Sequence, residues 1–358
     1  MRCPECRHEQ QYRDGKHCGK CGYHFVFLRK KDGISDFAFR QIIHRLSEGG
    51  HYAFTDTQLA LAIARPWWGK RSWIPLKPIF LLAAISFGIG LVEQFILGVL
   101  VFIMMLPWVI GLSRWRKTVF HFLSAYHLIY RYHGTHPIAG LADGQAFLHT
   151  TETELREFQY APERILVVER DDLVDMLIRN RFHLNHKTAV IGCSGYPEYV
   201  FAACQEFLKI HPNASVQVLH DASLDGFDLT KQLMADPKWE FAHQRLTDLG
   251  ISRAMLKKAS SFPWLPSEEL CRCYSGSSDN AFLEMILPDK SRLSGTMSAD
   301  HIRMLDAGRR MPVDYVGPKQ LMNLLGAAMT TGSLALVAAN DIGEVIVDTD
   351  GDETDDFG

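Results

Sequence analysis

Ile79 to Leu112 is a run of 34 residues carrying a single charge, Glu93. As one straight helix it would extend about 51 Å, against about 30 Å for the hydrocarbon layer of a bilayer. A glutamate near the middle of such a helix costs about 2–3 kcal/mol or more. Two shorter helices remove both problems, the first from Ile74 to Val92 and the second from Phe95 to Leu112, with Glu93-Gln94 at the turn. Lys70, Arg71 and Lys77 precede the segment, and Arg114, Arg116 and Lys117 follow it. Positive charge on both sides fits a hairpin with both ends in the cytoplasm. Trp67, Trp68, Trp73, Trp108 and Trp115 fall near the interfaces, where amphipathic rings settle. The expectation is a transmembrane hairpin over 72–117, anchoring the chain in the cell inner membrane with both soluble parts facing the cytoplasm. A single span would put those parts in different compartments.

The N-terminal end carries the second strong constraint. Cys3-Pro-Glu-Cys6 and Cys18-Gly-Lys-Cys21 are two CxxC pairs with eleven residues between them. Each pair aims two thiolates at one point, and two pairs supply the tetrahedral sulfur set of a closed structural zinc site. Gly19 and Gly22 offer the second knuckle backbone freedom. A ribbon over 1–28 is too small to bury a useful core, so Zn²⁺ is expected to supply its folding energy. His8, His17 and His24 read as surface residues, because four cysteines already fill the shell. Cys193, Cys204, Cys271 and Cys273 are scattered and form no second set. No secretory signal is read ahead of the ribbon, and the pattern is no disulfide framework.

The remaining segments carry less chemistry. Residues 29–71 read as a short helical spacer, with one helix from Ser35 to Leu46 and another opening at Thr55, where Thr55 and Gln58 form a capping-box pattern. Residues 118–160 read as a helical connector. The formal net charge of −3 predicts no general affinity for nucleic acid, yet residues 1–33 hold eight Lys/Arg against four Asp/Glu. The tail 341–358 holds eight acids and no base, and reads as solvated.

From 161 to 340 short apolar runs alternate with helical patterns. Strands are expected at Ile165–Glu169, Ala189–Gly192 and Val216–His220, and helices at Asp172–Arg179, Glu198–Ile210 and Phe227–Met234. That alternation makes an α/β domain with a parallel sheet, and such sheets gather functional groups beyond the carboxyl ends of their strands. Glu169 closes the first strand and Asp221 follows the third, so two acids are expected to converge. Leu321–Ala339 is apolar but holds Asn323, Thr330, Thr331 and Ser333, which makes it a buried helix rather than a further span.

Three stretches of this domain also resemble the Toprim core of the topoisomerase VI A subunit family. ILVVERDDLVDMLIRNRF (165–182) is similar to that family's strand ending in glutamate and the helix after it. AVIGCSGYPEYVFAACQEFL (189–208) is similar to its strand, Gly-x-Gly-Tyr-Pro-Asp loop and helix, with Gly195, Tyr196 and Pro197 in register. VQVLHDASLDGFDL (216–229) stands where the family has a strand and an Asp-x-Asp pair. The fold implied is a Toprim-like parallel sheet domain behind a zinc ribbon and a membrane hairpin.

The chemistry implied by the resemblance is Mg²⁺-dependent phosphodiester cleavage of nucleic acid, with foreign DNA as one target. Glu169 would act as general acid/base or metal ligand, Asp221 as the first metal-binding aspartate, and Asp225 or Asp228 as the replacement for a second one. The sequence departs from the pattern, because Ser223 stands at the second acidic position and Cys193 replaces the first loop glycine. Those departures define an alternative: a catalytically degenerate scaffold that binds protein partners, through the ribbon, or nucleic acid at the membrane. Residues 160–260 hold 12 Lys/Arg against 13 acids, so no basic stripe marks a nucleic-acid groove there. The same stretches also resemble a phosphoacceptor receiver domain with Asp221 as acceptor, a signalling reading.

Overall fold

A computed structural model describes residues 1–69, 103–107, 122–148, 162–239, 241, 244–256, 264–266, 299–332 and 334. The chain divides into two compact units, Met1–Ile43 with Leu59–Pro137, and His44–Gln58 with Ile138–Gly358.

In the first unit the ribbon is followed by the helix Asp36–Leu46, and residues 122–133 are helical. Phe27, Phe39 and Tyr132 pack as a buried aromatic cluster, and the Tyr23 and Tyr132 hydroxyls share a hydrogen bond of 2.9 Å. Buried Asp36 accepts the Val26 and Phe27 backbone N–H groups at 3.1 and 3.3 Å, which fixes the chain leaving the ribbon. Most of the expected membrane hairpin, 72–117, lies outside the described residues. Within it, 103–107 are helical and expose Ile103, Met104 and Met105. Among the described residues, no helix is long and apolar enough to cross a membrane. The acidic tail, Cys271 and Cys273 also fall outside them.

The second unit is built on four parallel strands. After the short pair β1 (Phe54–Thr55) and β2 (Leu141–Ala142) come β3 (Arg164–Val168), β4 (Thr188–Gly192), β5 (Ser215–Leu219) and β6 (Leu246–Asp248). Their order is β4-β3-β5-β6, with Val167 level with Ile191 on one side and Val218 on the other. The expected α/β class and the first three strands are therefore present. The strands end one residue early, at Val168 and Leu219, leaving Glu169 and His220 as the first residues beyond the sheet. β6 was not anticipated, because Leu246-Thr247-Asp248 is too short and too polar to stand out from a loop.

Ile165, Val167, Ile191, Val216 and Val218 meet the helices Glu198–Ile210 and Leu224–Ala235 through Phe201, Cys204, Leu208, Leu229 and Leu233. On the other face, the helix Asp171–Arg179 lies against β4, and Pro318–Thr331 is tied to the sheet where Gln217 Nε2 donates to the Met329 carbonyl at 3.2 Å. Covering both faces explains why these strands are continuously apolar rather than alternating. The Pro318–Thr331 helix stops short of the expected Ala339, since Gly332 takes a left-handed φ of 75° and closes it.

The capping box expected at Thr55 is formed reciprocally. Gln58 N–H donates to Thr55 Oγ1 and Thr55 N–H donates to Gln58 Oε1, each at 3.1 Å, where the helix Asp56–Gly69 begins.

Candidate functional site

The ribbon brings Cys3, Cys6, Cys18 and Cys21 together, with all four sulfurs within 4.8 Å of one another. The Cys3–Cys21 and Cys6–Cys18 sulfurs are each 3.5 Å apart. A tetrahedral ion with bonds of about 2.3 Å would set its sulfurs about 3.8 Å apart, inside that range. The two knuckles repeat one backbone pattern. Arg7 N–H bonds to the Cys3 carbonyl at 3.0 Å and Gly22 N–H to the Cys18 carbonyl at 2.9 Å. Cys3 N–H reaches the His8 carbonyl and Cys18 N–H the Tyr23 carbonyl, at 2.9 and 2.8 Å. The left-handed position falls on Arg7 (φ 59°) in one knuckle and Gly22 (φ 76°) in the other, while Gly19 needs no positive φ.

Crowding four thiols splits their acidity. Burial raises Cys18, but the Cys21 and Lys20 N–H groups and the Cys6 thiol outweigh it and lower Cys18 to about 6. At Cys21 the Tyr23 N–H works downward, yet burial and the three neighbouring thiols push it up to about 12. A divalent cation removes that mutual repulsion, so the cluster fits a metal ion such as zinc. The site is closed, with no open position for chemistry.

The second candidate lies beyond the carboxyl ends of β3 and β5. The chain runs outward from β3 to β4 and returns past β3 to β5, so this is the point where strand order reverses and doubly wound sheets bind ligands. Glu169 and Asp221 do meet here. Asp221 N–H donates to Glu169 Oε2 at 2.6 Å and Ser223 Oγ donates to Glu169 Oε1 at 3.1 Å. Burial, then the Asp221 charge, pushes Glu169 up to about 7 against the pull of the Asp221 N–H, His220 and Arg310.

The Asp221 side chain is committed elsewhere. It is 1% exposed, with Oδ2 facing Arg170 Nη1 at 3.2 Å and Arg310 Nη1, and Oδ1 accepting Val313 N–H at 2.8 Å. Burial opposes its ionisation, but the two guanidinium groups hold its carboxyl below the usual range. Arg170 also forks onto Asp172 at 2.9 and 3.0 Å and onto Asp314 at 2.7 and 3.2 Å, and Thr55 Oγ1 donates to Asp314. Burial, with Asp56 and Asp314 nearby, pushes Asp172 up to about 7 despite Arg170.

Asp225 and Asp228 do not join this cluster. Asp225 is exposed in the first turn of Leu224–Ala235, and Asp228 faces Lys231 at 3.8 Å. Among the described residues, the four cysteines form the group of three or more side chains placed to share an ion, and the four acids do not. Ser223, at the family's second acidic position, is the N-cap, its Oγ accepting Gly226 N–H at 2.8 Å. Cys193 Sγ donates to the Glu169 carbonyl at 3.1 Å, and burial pushes its thiol up to about 11, away from reactivity.

His220 completes the arrangement. Its Nδ1 lies 2.7 Å from the Asp221 carbonyl and its Nε2 lies 3.0 Å from Asp248 Oδ1. Both partners only accept, so a protonated ring can turn Nδ1–H to the carbonyl and pair its charge with Asp248. Burial lowers its basicity, but the Asp248 hydrogen bond and charge prevail and raise it.

Arg170, Arg310 and Asp314 escaped sequence reasoning. Arg170 was visible as a cation directly after a strand-end acid, whereas nothing local marks residues 309–314 as returning to this point. No family model, curated protein or solved structure matches the chain.

Proposed function

We propose that the chain is a membrane-tethered, Toprim-like binding scaffold whose acidic cluster is structural rather than catalytic. The observation that carries this reading is the occupancy of the Asp221 carboxylate: Arg170, Arg310 and Val313 N–H use both its oxygens. A catalytic Mg²⁺ takes a few carboxylates and keeps waters and phosphate oxygens, and two buried guanidinium groups stand where such an ion would need Asp221. The same burial counts against Asp221 as a phosphoacceptor. The zinc ribbon and the cytoplasmic faces are then surfaces for protein partners or nucleic acid. The apolar composition of 79–112, the flanking cations and the exposed Ile103, Met104 and Met105 support anchoring in the inner membrane by the hairpin.

A second reading, an Mg²⁺-dependent nucleic-acid hydrolase, is favoured by one observation. Glu169 sits at the switch point with its acidity near neutral, where a general acid/base belongs.

One preparation separates them. Full-length protein, extracted from carbonate-washed membranes into detergent, is incubated with supercoiled DNA and Mg²⁺ or Mn²⁺. The scaffold reading expects the protein to stay with the washed membranes and the DNA to stay supercoiled. Metal-dependent nicking that disappears in Glu169→Ala would replace it with the hydrolase reading.

A further inference from the structure

We propose that His17 and His24 form a second metal site, on the outer surface of the ribbon, that takes one borderline divalent ion such as Zn²⁺ through their imidazole nitrogens. This stands apart from the function proposed above. His17 and His24 face each other as an antiparallel pair. The backbone bonds on either side, Phe25 N–H to the Lys16 carbonyl and Cys18 N–H to the Tyr23 carbonyl, are both 2.8 Å. The two histidines are therefore the non-hydrogen-bonded pair of this hairpin, the register in which opposed side chains come closest. Cys18, Tyr23 and Phe25 turn into the ribbon core, and His17 turns outward to solvent.

The ring spacing leaves room for chelation. The centroids are 4.8 Å apart with the planes tilted by 32°. A metal–nitrogen bond of about 2.0–2.1 Å places an imidazole centroid about 3.2 Å from the ion. Two such rings with centroids at the observed separation subtend about 100° at the ion, between the octahedral and tetrahedral angles.

The strands are also held in place before any ion arrives. His136 Nε2 lies 2.7 Å from the His24 carbonyl, and Gln10 Nε2 donates to the His17 carbonyl at 2.9 Å. Two imidazoles leave the remaining positions to water, so the site is open and weaker than the four-cysteine centre beside it. Imidazole suits Zn²⁺, Cu²⁺ and Ni²⁺, and Zn²⁺ leaves the thiolates of the neighbouring centre unoxidised.

The test equilibrates the full-length zinc-loaded protein with about 100 µM Zn²⁺, ten times a dissociation constant on the order of 10 µM, and counts bound zinc by elemental analysis. His17→Gln and His24→Gln are each expected to bind about one ion fewer than the native chain, whereas His8→Gln binds the same number. Equal zinc in all four proteins would overturn the site. On the unaltered chain, diethylpyrocarbonate modification is followed residue by residue by mass spectrometry. Zn²⁺ should slow it about tenfold at both His17 and His24 relative to His8. No selective slowing overturns the proposal even where a variant disturbs the ribbon, because this measurement needs no substitution.

Discussion

Arg170 and Asp314, 144 residues apart in the chain, meet as a two-bond fork, Nη1 to Oδ1 at 3.2 Å and Nη2 to Oδ2 at 2.7 Å. The same guanidinium holds Asp172 and Asp221, so one cation neutralises part of the charge of three buried or nearly buried carboxylates.

Removing that cation should be far worse than trimming one of its partners. Arg170→Met removes the cation that these three acids share and leaves Arg310 beside Asp221. Breaking a buried ion pair from one side costs about 3–5 kcal/mol, because an uncompensated charge stays behind. Chemical unfolding of the α/β unit, followed through the buried Trp239, should show the loss. An Arg170→Met protein within about 1 kcal/mol of the parent would mean the network contributes little to stability.

Chelation should act on the other unit. The ribbon core is small, with Cys3, Cys18, Tyr23 and Phe25 as its buried cluster, so a metal held by the four cysteines would supply much of its folding energy. Stripping metal, or Cys18→Ser, is expected to open residues 1–28 to protease while the 162–256 stretch stays protected. Elemental analysis of protein dialysed against metal-free buffer should return about one zinc per chain, lost in Cys18→Ser. Unchanged cleavage after chelation would show that the ribbon holds itself together without an ion.

Strand and helix positions were legible because burial on both faces makes short, unbroken apolar runs such as Ile165–Val168, and because the Thr55/Gln58 cap is a local signal. The convergence of Glu169 and Asp221 was legible for a topological reason: both follow parallel neighbouring strands. What the Asp221 carboxylate does there was not. Its partners Arg310 and Val313 arrive from 89 and 92 residues away, brought in where Ala222 bridges to Met311. A strand-end acid looks the same in sequence whether it faces solvent, an ion or a guanidinium. Asp225 and Asp228 were equally ambiguous, and helix geometry turned them outward.

Stability of the α/β unit should fall as pH rises from about 5 to 8. Glu169 and Asp172 are both raised to about 7 in the folded protein, from ordinary values of 4.5 and 3.8. An acid with a raised folded value binds its proton more tightly when folded, so it favours folding at low pH. That advantage is lost as pH climbs through the interval between the two values. His220 works in the same direction: its folded value is raised, so its contribution is full below about 6.5 and disappears above its folded value. Asp248 has a lowered value and loses its contribution only as pH falls below the ordinary 3.8. Urea midpoints are therefore expected to be higher at pH 5.5 than at pH 8, with a shallower slope in Glu169→Gln. A midpoint that rises over this window would reverse the assignment of these groups.

Gly250→Ala tests whether the His220 ring is held by shape as well as by charge. A Cβ at position 250 would stand 2.3 Å from both Nε2 and Cδ2 of the His220 ring, inside any tolerable contact. His220 must therefore swing, giving up Asp248 or the Asp221 carbonyl, and overpacking of this kind costs about 1–3 kcal/mol. Because the swing also takes the ring away from the Asp248 carboxylate that favours its proton, the substitution should flatten the part of the pH dependence centred above 6.5. His220→Gln should flatten the same part without the steric clash. Gly250→Ala that lowers stability equally at pH 5.5 and 8 would show that the glycine makes room for the ring without governing its charge.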